Sequence, residues 1–481
     1  MANRQLIREL QGIVGKPYVL HTPEDLLVYE YDATIERGLP EAVVLPATAQ
    51  QVAEVVKVVR RFDLPVVARG AGTGLSGGAI PAKGGVTIAM SRMRRILEVD
   101  AENRLAVVEP GVINLDISKA VAHHGLYYAA DPASQKACTI GGNVAENAGG
   151  PHCLAYGVTQ NHILGLEVVL ADGSMVWLGG KTADPPGYDL RGVVIGSEGT
   201  LAIVTKVIVR LSPLPPATVA LLAIFDEVDH ASQAVSTIIG QGILPAALEM
   251  MDKATMEAVE AAVHAGYPPD AGAVLLIEVD GLEESLPPLA EQIEGICREL
   301  GARDVRVGFS PQDRERLWAG RKGALGALGR LAPSYFILDG TVPRTQLPRV
   351  LRGVYEVGEK YGLRIANVFH AGDGNLHPNI LFDEAEPGQV ERALAAGAEI
   401  LRICVDAGGT ITGEHGIGME KRDFMRWIFS EDDIDAQARL KIAFGAGDGF
   451  NPEKIFPASS AGDTITSQRS IIQSLGPDAY I

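Results

Sequence analysis

Cysteine is scarce in this sequence, and its distribution excludes several kinds of redox and structural site. Among 481 residues there are only four cysteines: Cys138, Cys153, Cys297 and Cys404. None belongs to a C-x-x-C pair or a cluster, so the sequence predicts no iron–sulfur centre, structural zinc site or disulfide framework. Isolated thiols are typical of a reducing compartment. We therefore expect a cytoplasmic protein, with any attachment to the inner membrane made through partners.

Long apolar runs, aromatic residues and excess positive charge are also lacking. The longest apolar stretch, 211–225, contains three prolines, so we expect no transmembrane segment. The N-terminus, MANRQLIRELQG, is too charged for a signal peptide. Aromatic residues make up 5% of the chain and the formal net charge is −18. That charge argues against nucleic acids and anionic membranes as partners, and an anionic substrate would need a local basic pocket.

Glycine, by contrast, is abundant, and it concentrates in one loop. Five glycines fall within the nine residues 70–78. Without a Cβ, glycine permits positive φ and close approach of a ligand, and successive exposed N–H groups can bind anionic oxygens. Arg69 adds a positive charge at the loop entrance. The loop predicts a phosphate or pyrophosphate cradle, and a glycine-rich surface turn is the alternative.

The same loop contains a G-x-G-x-x-G pattern at 72–77, after a predicted strand at 64–68. This pattern indicates a Rossmann dinucleotide site only when a helix follows at once. Here residues 86–89 read as another strand, so no helix N-terminus is available for a pyrophosphate. We therefore reject the Rossmann interpretation and keep the phosphate cradle.

Helical and strand periodicities predict an α+β protein. Thr48 caps an amphipathic helix, and a β-α-β unit begins the first domain. From Pro213 to about residue 310 strands and helices alternate, which predicts a mostly antiparallel sheet with helices on one face. Between them, the glycine-rich passage 131–150 reads as a long functional loop.

The last third of the chain carries an unusual set of polar residues. His370 and His377 flank a Gly-Asp-Gly turn and meet only if the strands on each side pair. Glu414 and His415 stand between glycines. Two histidines and a carboxylate are a common catalytic metal set, which His370, His377 and Glu414 could supply. The alternative is that the histidines close the turn through hydrogen bonds and Glu414 forms an ion pair.

A basic residue in the same region could recognise a carboxylate. Arg321, on a predicted helix, could clamp it through two parallel hydrogen bonds, although exposed helix arginines are common. His415, if it is not a ligand, is free to act as a base.

These motifs resemble the FAD-linked oxidoreductases of the vanillyl-alcohol oxidase and p-cresol methylhydroxylase type over nearly the whole chain. The first-domain motifs are 69–78, 108–111, 139–143, 147–150, 156–157 and 196–200. The histidine motifs, with Asn451-Pro452, resemble the D-2-hydroxyacid dehydrogenase branch. Within that branch, residues 318–322 and 335–343 are most similar to the FAD-carrying subunits of bacterial glycolate oxidases.

The resemblance implies three regions and a cofactor. They are a two-lobed FAD-binding domain (1–213, lobes about 1–100 and 101–213), a cap or substrate domain carrying the metal and catalytic motifs (214–440), and a C-terminal segment returning to the FAD domain (441–481). The implied FAD contacts are Pro46, Arg69, Gly70, Ala71, Gly72, Thr73, Gly74, Leu75, Ser76, Gly77, Pro110, Gly111, Asp131, Pro132, Ser134, Thr139, Gly141, Gly142, Asn143, Asn147, Gly149, Gly150, Tyr156, Glu198, Gly199, Ile203 and Asn451.

The resemblance also implies a reaction. His370, His377 and Glu414 would bind a divalent metal, such as zinc, iron or manganese. Arg321 would hold the carboxylate of a small 2-hydroxy acid and Asn379 would assist. His415 would take the hydroxyl proton while a hydride passes from Cα to flavin N5.

Two departures from the family pattern refine this expectation. Ala79 stands where covalently flavinylated relatives often carry a histidine, so we predict non-covalent FAD. Ile337 stands where D-2-hydroxyglutarate dehydrogenases have a lysine for the second carboxylate. A small monocarboxylate such as glycolate or D-lactate therefore fits better, and a D-2-hydroxyglutarate-type dehydrogenase is the alternative.

Because the chain has no cysteine cluster, electrons on the flavin must leave to an external acceptor: a quinone, a cytochrome or an iron–sulfur subunit. We expect either a hetero-oligomer with other glycolate oxidase subunits or a homodimer. Two other classes of function remain open. A metal-dependent hydrolase would use the same His/His/Glu set but leave the glycine loop idle, and a non-catalytic flavin subunit would serve a larger complex.

Overall fold

The computed structural model describes residues 4–183 and 186–458. Residues 459–481 of the predicted C-terminal segment lie outside the described residues. In chain order the α-helices are α1 Arg4–Val14, α2 Pro23–Leu26, α3 Ala49–Arg61, α4 Asn114–Val121, α5 Ile140–Glu146, α6 Cys153–Tyr156, α7 Leu190–Val194, α8 Val228–Gly240, α9 Lys253–Val263, α10 Leu286–Glu299, α11 Pro311–Leu328, α12 Leu347–Tyr361, α13 Gln389–Asp406 and α14 Glu431–Ala443.

The strands are β1 Val19–Leu20, β2 Ala42–Val44, β3 Val66–Arg69, β4 Val86–Ala89, β5 Ile96–Asp100, β6 Leu105–Val108, β7 Leu126–Tyr127, β8 Ile163–Val169, β9 Met175–Gly179, β10 Ile203–Arg210, β11 Ser212–Pro213, β12 Ala217–Phe225, β13 Ala247–Asp252, β14 Ala273–Gly281, β15 Ala302–Gly308, β16 Ser334–Ile337, β17 Gly340–Thr341, β18 Arg364–His370, β19 Asn375–Leu376 and β20 Pro378–Phe382. Among the described helices, none combines the length and apolarity needed to span a bilayer.

The chain folds into two compact units. Unit 1 contains the described residues up to 149, 157–214 and 414–458, and unit 2 contains 150–156 and 215–413. The sequence placed the second boundary at residue 440, whereas in the structure the chain rejoins unit 1 at Glu414. The reason is local hydrogen bonding within unit 1. The N–H groups of Ile417 and Gly418 each donate to the Glu198 carboxylate at 2.7 Å.

The first lobe of unit 1 is a four-stranded sheet in the order β1-β2-β4-β3. Helix α3 begins where predicted, because the Thr48 hydroxyl accepts from Gln51 N and the Gln51 side chain accepts from Ala47 N. Its valines pack into the core of this lobe. Strands β3 and β4 are parallel neighbours, and the fully described loop between them contains no α-helix. The predicted strand–loop–strand arrangement is therefore confirmed.

The second lobe is an antiparallel sheet in the order β5-β6-β10-β8-β9. The passage 131–150, predicted as a loop, contains helix α5. The helix forms because Ile140 and Val144 share one face and pack into the core of the sheet. It ends at Asn147, which adopts a left-handed conformation with φ of 54°.

Unit 2 is built on an antiparallel sheet in the order β15-β12-β14-β13-β18-β19-β17, with β20 joining β18 to β16. The predicted mostly antiparallel sheet is confirmed, and its strand β12 is covered on both faces. Residues 219–225 of β12 are all buried, and α8, α10 and α11 all contact this strand. Its even-numbered side chains pack in one core with α9 and α11. The uninterrupted apolar run VALLAIF indicates such two-sided burial, because a strand exposed on one face alternates.

Candidate active site

In unit 2, one carboxylate joins two of the predicted functional residues. Glu249 of β13 lies opposite His370 of β18 in the strand register. The His370 ring contacts Glu249 Oε1 through Nδ1 at 2.7 Å. From α11, Arg321 brings both Nε and Nη2 to within 2.7 Å of Glu249 Oε2. Arg321 is 7% exposed and Glu249 1%, so the interpretation of Arg321 as an exposed surface arginine is wrong.

The electrostatics of this cluster keep Glu249 ionised. Burial raises the pKa of Glu249, but the charges and hydrogen bonds of His370 and Arg321 outweigh that effect and hold the pKa below its ordinary value. The sequence reasoning missed Glu249. A signal was present, because Glu249 is the one acidic residue inside the apolar run 246–251, and a buried acid requires partners.

His370 and His377 lie close together, because the strands on each side of their turn pair. β18 pairs with β19 and with β20, and the ring centroids of His370 and His377 lie 5.1 Å apart at an interplanar angle of 82°. Glu249 engages Nδ1 of His370, which leaves Nε2 as the nitrogen that can bind a metal. A histidine whose second nitrogen contacts a carboxylate is typical of metal ligands. The donor set of unit 2 therefore fits a divalent metal.

A second buried carboxylate, Asp339, lies beside His377. Its Oδ1 is 3.6 Å from His377 Nε2 and accepts from Asn375 Nδ2 at 3.0 Å, and its Oδ2 accepts from the Thr412 hydroxyl. The sequence reasoning gave this residue no role, although it stands in the motif 335–343.

Asn379, which the family resemblance implies assists at the substrate, lies against the main chain of His377. It is fully buried, and its Nδ2 donates to the carbonyl oxygens of Ala366 at 3.1 Å and His377 at 2.7 Å. The amide nitrogen therefore fixes the main chain that carries His377. Of the two polar atoms of this side chain, only Oδ1 is left to accept a hydrogen bond from a substrate.

Glu414 and His415 belong to unit 1. Their Oε1 and Nε2 atoms lie 3.7 Å apart, and the side chains are 12% and 11% exposed. Gly413, the last residue of unit 2, packs against Asn375, where a Cβ would lie 2.0 Å from its Nδ2. Consecutive Cα atoms are about 3.8 Å apart, so chain connectivity alone keeps Glu414 next to Gly413.

The glycine loop of unit 1 has the features of an anion cradle. Five of the predicted cofactor residues bury a polar atom with no hydrogen-bond partner among the described residues: Arg69 Nη1, Ser76 Oγ, Thr139 Oγ1, Asn143 Nδ2 and Asn451 Oδ1. Burial also lowers the pKa of Arg69, opposed by Asp32. The polar oxygens of a bound ligand would satisfy buried groups of this kind. The residues present therefore fit a phosphate-bearing cofactor such as FAD.

Close main-chain packing explains why glycines recur here. A Cβ at Gly70 would lie 2.4 Å from Thr139 Oγ1, and a Cβ at Gly141 would lie 2.6 Å from Pro110 Cβ. All of the predicted FAD contacts except Gly150 and Tyr156 belong to unit 1. Those two belong to unit 2, where the Tyr156 hydroxyl donates to the Asp280 carboxylate.

Two family models match this chain. Residues 40–179 match the model of an FAD binding domain, and residues 214–455 match the model of the C-terminal domain of FAD linked oxidases. The chain is 50% identical to glycolate oxidase subunit GlcD of Escherichia coli (strain K12) over 440 residues, covering 91% of this chain and 88% of that protein. The chain belongs to the FAD-linked oxidases.

Two further comparisons place this FAD-linked oxidase. It is 34% identical to D-lactate dehydrogenase of Archaeoglobus fulgidus over 456 residues, covering 93% of this chain and 98% of that protein. Among solved structures it is similar to p-cresol methylhydroxylase with substrate bound, with a TM-score of 0.80 at 17% identity, covering 95% and 98% of the two chains. This likeness confirms the predicted p-cresol methylhydroxylase-type fold.

Proposed function

We propose that this FAD-linked oxidase dehydrogenates a small 2-hydroxy acid, glycolate or D-lactate, to the 2-oxo acid and passes the electrons to an external acceptor. The observation that carries the proposal is the buried Arg321–Glu249–His370 cluster beside His377. It brings a cation for a carboxylate, on helix α11, together with an imidazole for a metal, on strand β18. The names of the relatives in Escherichia coli and Archaeoglobus fulgidus, a glycolate oxidase subunit and a D-lactate dehydrogenase, favour the same substrate class.

The glycine loop and the unpaired polar atoms around it would hold FAD through non-covalent contacts. Ala79 offers no nucleophile for a covalent bond after this loop. FAD, when bound, supplies the hydride acceptor. The chain supplies the orientation of the cofactor, through Arg69, Ser76, Thr139 and Asn451.

Arg321 would bind the substrate carboxylate with the edge of its guanidinium that Glu249 leaves free. A guanidinium carries five N–H donors, and Glu249 engages Nε and Nη2. The remaining N–H groups can bind a second carboxylate bidentately. Ile337 lies directly opposite Asn379 in the strand register. An apolar side chain at this position favours a monocarboxylate over a dicarboxylate such as D-2-hydroxyglutarate.

His415 would accept the hydroxyl proton as the Cα–H bond breaks, so that the substrate loses one hydride and one proton. His370, His377 and Glu414 would hold a divalent metal, zinc, iron or manganese. A metal at these residues supplies polarisation of the hydroxyl oxygen. Asn379 would act mainly through the main chain of His377.

The deciding experiment is anaerobic titration of the purified protein with a panel of 2-hydroxy acids, watched by flavin absorbance near 450 nm. We expect glycolate or D-lactate to bleach the flavin. A colourless protein would favour the hydrolase class, and a yellow protein that no substrate bleaches would favour a non-catalytic flavin subunit. Bleaching by D-2-hydroxyglutarate alone would identify the alternative dehydrogenase.

His415→Ala tests the base assignment within the same assay. The variant should keep the absorbance spectrum of bound flavin but lose bleaching by the best substrate, because the hydroxyl proton has no acceptor. Bleaching at the wild-type rate would refute the assignment.

The electron acceptor and the assembly are part of the proposal. The relative in Escherichia coli is named as a subunit, which favours a hetero-oligomer in which another chain takes the electrons. A homodimer using a quinone or a cytochrome is the alternative. Attachment to the inner membrane would then depend on those partners.

A further inference from the structure

Glu249 contacts both a proposed metal ligand and the proposed substrate-binding cation. Its two oxygens are divided between them: Oε1 contacts His370 Nδ1, and Oε2 contacts Arg321 Nε and Nη2, all at 2.7 Å. All three side chains are buried. Because all three groups are shielded from water, loss of either contact would leave a buried charge or polar group without a partner.

The contact with His370 determines which ring nitrogen is available to a metal. Nδ1 of His370 lies 2.7 Å from Glu249 Oε1, and a carboxylate oxygen accepts a hydrogen bond, so in the neutral ring that donates this bond the lone pair lies on Nε2. Such a carboxylate partner fixes the tautomer and ring orientation of a histidine ligand and raises its basicity.

The contact with Arg321 determines which edge of the guanidinium is available to a substrate. Glu249 engages the edge formed by Nε and Nη2 and thereby fixes the plane of the group. Arg321 comes from α11, whereas His370 comes from β18. Glu249 therefore orients both a helix residue, Arg321, and a sheet residue, His370.

We propose that Glu249 is a positioning residue that couples metal binding at His370 to carboxylate binding at Arg321. The proposal rests on the proposed function for the identity of the two ligands. Removal of the Glu249 charge would free the His370 tautomer and the Arg321 guanidinium together. We then expect the affinity for the metal and the affinity for the substrate carboxylate both to fall. Each affinity should fall even when the other of these two ligands is saturating.

The test is Glu249→Gln in the FAD-loaded protein, with two separate readouts. The first is equilibrium dialysis of chelator-treated protein against Mn²⁺ or Zn²⁺, with bound metal measured by mass spectrometry. We expect the metal dissociation constant to rise about 10–100-fold. The second is anaerobic stopped-flow reduction by glycolate or D-lactate at saturating metal. We expect the apparent substrate dissociation constant to rise about tenfold or more, with a smaller change in the limiting rate, because a ground-state contact is lost.

Asp252→Asn is the matched control. Asp252 is a buried carboxylate on the same strand, and its recorded partners are Thr255, Asn367 and Tyr355. We expect this variant to lose stability and to keep wild-type affinities for metal and substrate. If Glu249→Gln does not fold, Glu249→Asp retains the charge. Its side chain is one methylene too short to hold both partners, so one of the two affinities should still fall tenfold.

The outcomes separate this inference from the proposed function. A wild-type protein that binds no metal and is bleached by no 2-hydroxy acid would contradict the proposed function itself. A wild-type protein that does both, with a Glu249→Gln variant that retains either affinity, would overturn the coupling alone. Equal losses in Glu249→Gln and Asp252→Asn would show a merely structural role and would also overturn it.

Discussion

At the scale of single residues, three buried acids of unit 2 lie against polar partners. Glu249, Asp252 and Asp339 are each at most 3% exposed, and each has hydrogen-bond partners. The sequence indicated the histidines and Arg321, because those residue types are rare or carry a permanent charge. It indicated a buried acid at Glu249 but no role for Glu249 or Asp339, because an acid acquires a role only from the residues that the fold brings against it.

Arg321→Ala should destabilise the protein strongly. The substitution leaves Glu249 buried without its cation, which typically costs about 3–5 kcal/mol. Arg298→Ala is the control, since Arg298 forms an exposed i,i+4 pair with Glu294 and such pairs contribute about 0.5 kcal/mol or less. Urea unfolding of the two variants measures the difference. A similar small loss in both would contradict the burial argument.

Glu420→Gln should change how stability depends on pH. Burial raises the pKa of Glu420 to about 8, with the Lys421 charge opposing it. The folded protein therefore keeps this proton up to about pH 8, whereas the unfolded chain releases it near its ordinary pKa of 4.5. The contribution of Glu420 to the free energy of unfolding is therefore full below pH 4.5 and is lost as the pH rises toward 8. Glutamine does not titrate.

The advantage of Glu420→Gln over the wild type should grow between pH 4.5 and 8, by on the order of a few kcal/mol. Unfolding at pH 5, 6.5 and 8 measures it. A constant difference between the two proteins at all three pH values would show that Glu420 does not carry the effect.

At the scale of elements, the glycine loop packs against the start of helix α5. The loop follows β3 and packs against Thr139 at the start of α5. The strand on each side of the loop was predictable from short apolar runs. Helix α5 was missed because Gly141 and Gly142 stand inside it and lower its helix propensity. Tertiary packing of Ile140 and Val144 overrides that propensity.

Gly70→Ala and Gly74→Ala should separate folding from cofactor binding. A Cβ at Gly70 would lie 2.4 Å from Thr139 Oγ1, whereas nothing lies within 4 Å of a Cβ at Gly74. Gly70→Ala should therefore lower the melting temperature of the FAD-free protein, and Gly74→Ala should leave it nearly unchanged. If FAD approaches this loop, Gly74→Ala should still weaken FAD binding, as fluorescence titration would measure. Unchanged FAD affinity in Gly74→Ala would place the cofactor away from this glycine.

At the scale of the whole molecule, sequence order and structural units do not coincide. Residues 150–156 belong to unit 2 and residues from 414 belong to unit 1. The first change was not visible in the sequence, because it depends on Tyr156 meeting Asp280. The C-terminal return was expected, although later in the chain. It is fixed by contacts such as Asn451 N with Val66 O at 2.8 Å.

Turnover should depend on the acceptor supplied. Because the four cysteines form no cluster, they offer no site for an iron–sulfur relay, and we expect slow turnover with oxygen and faster turnover with a soluble quinone or dye. Oxygen consumption and dye reduction, measured with the same substrate, compare the two. Rapid oxygen consumption that no added acceptor increases would contradict the need for an external acceptor.

The sequence by itself determined the α+β class, the glycine loop between two strands, the family motifs and most of the candidate residues. These depend on local periodicity and on residue types whose chemistry is intrinsic. Only the tertiary structure shows that Glu249 lies against both Arg321 and His370. It also shows that the amide nitrogen of Asn379 donates to the main chain, and that Glu414 belongs to unit 1. Those facts depend on strand register and on contacts between residues as much as 220 positions apart, which no local pattern encodes.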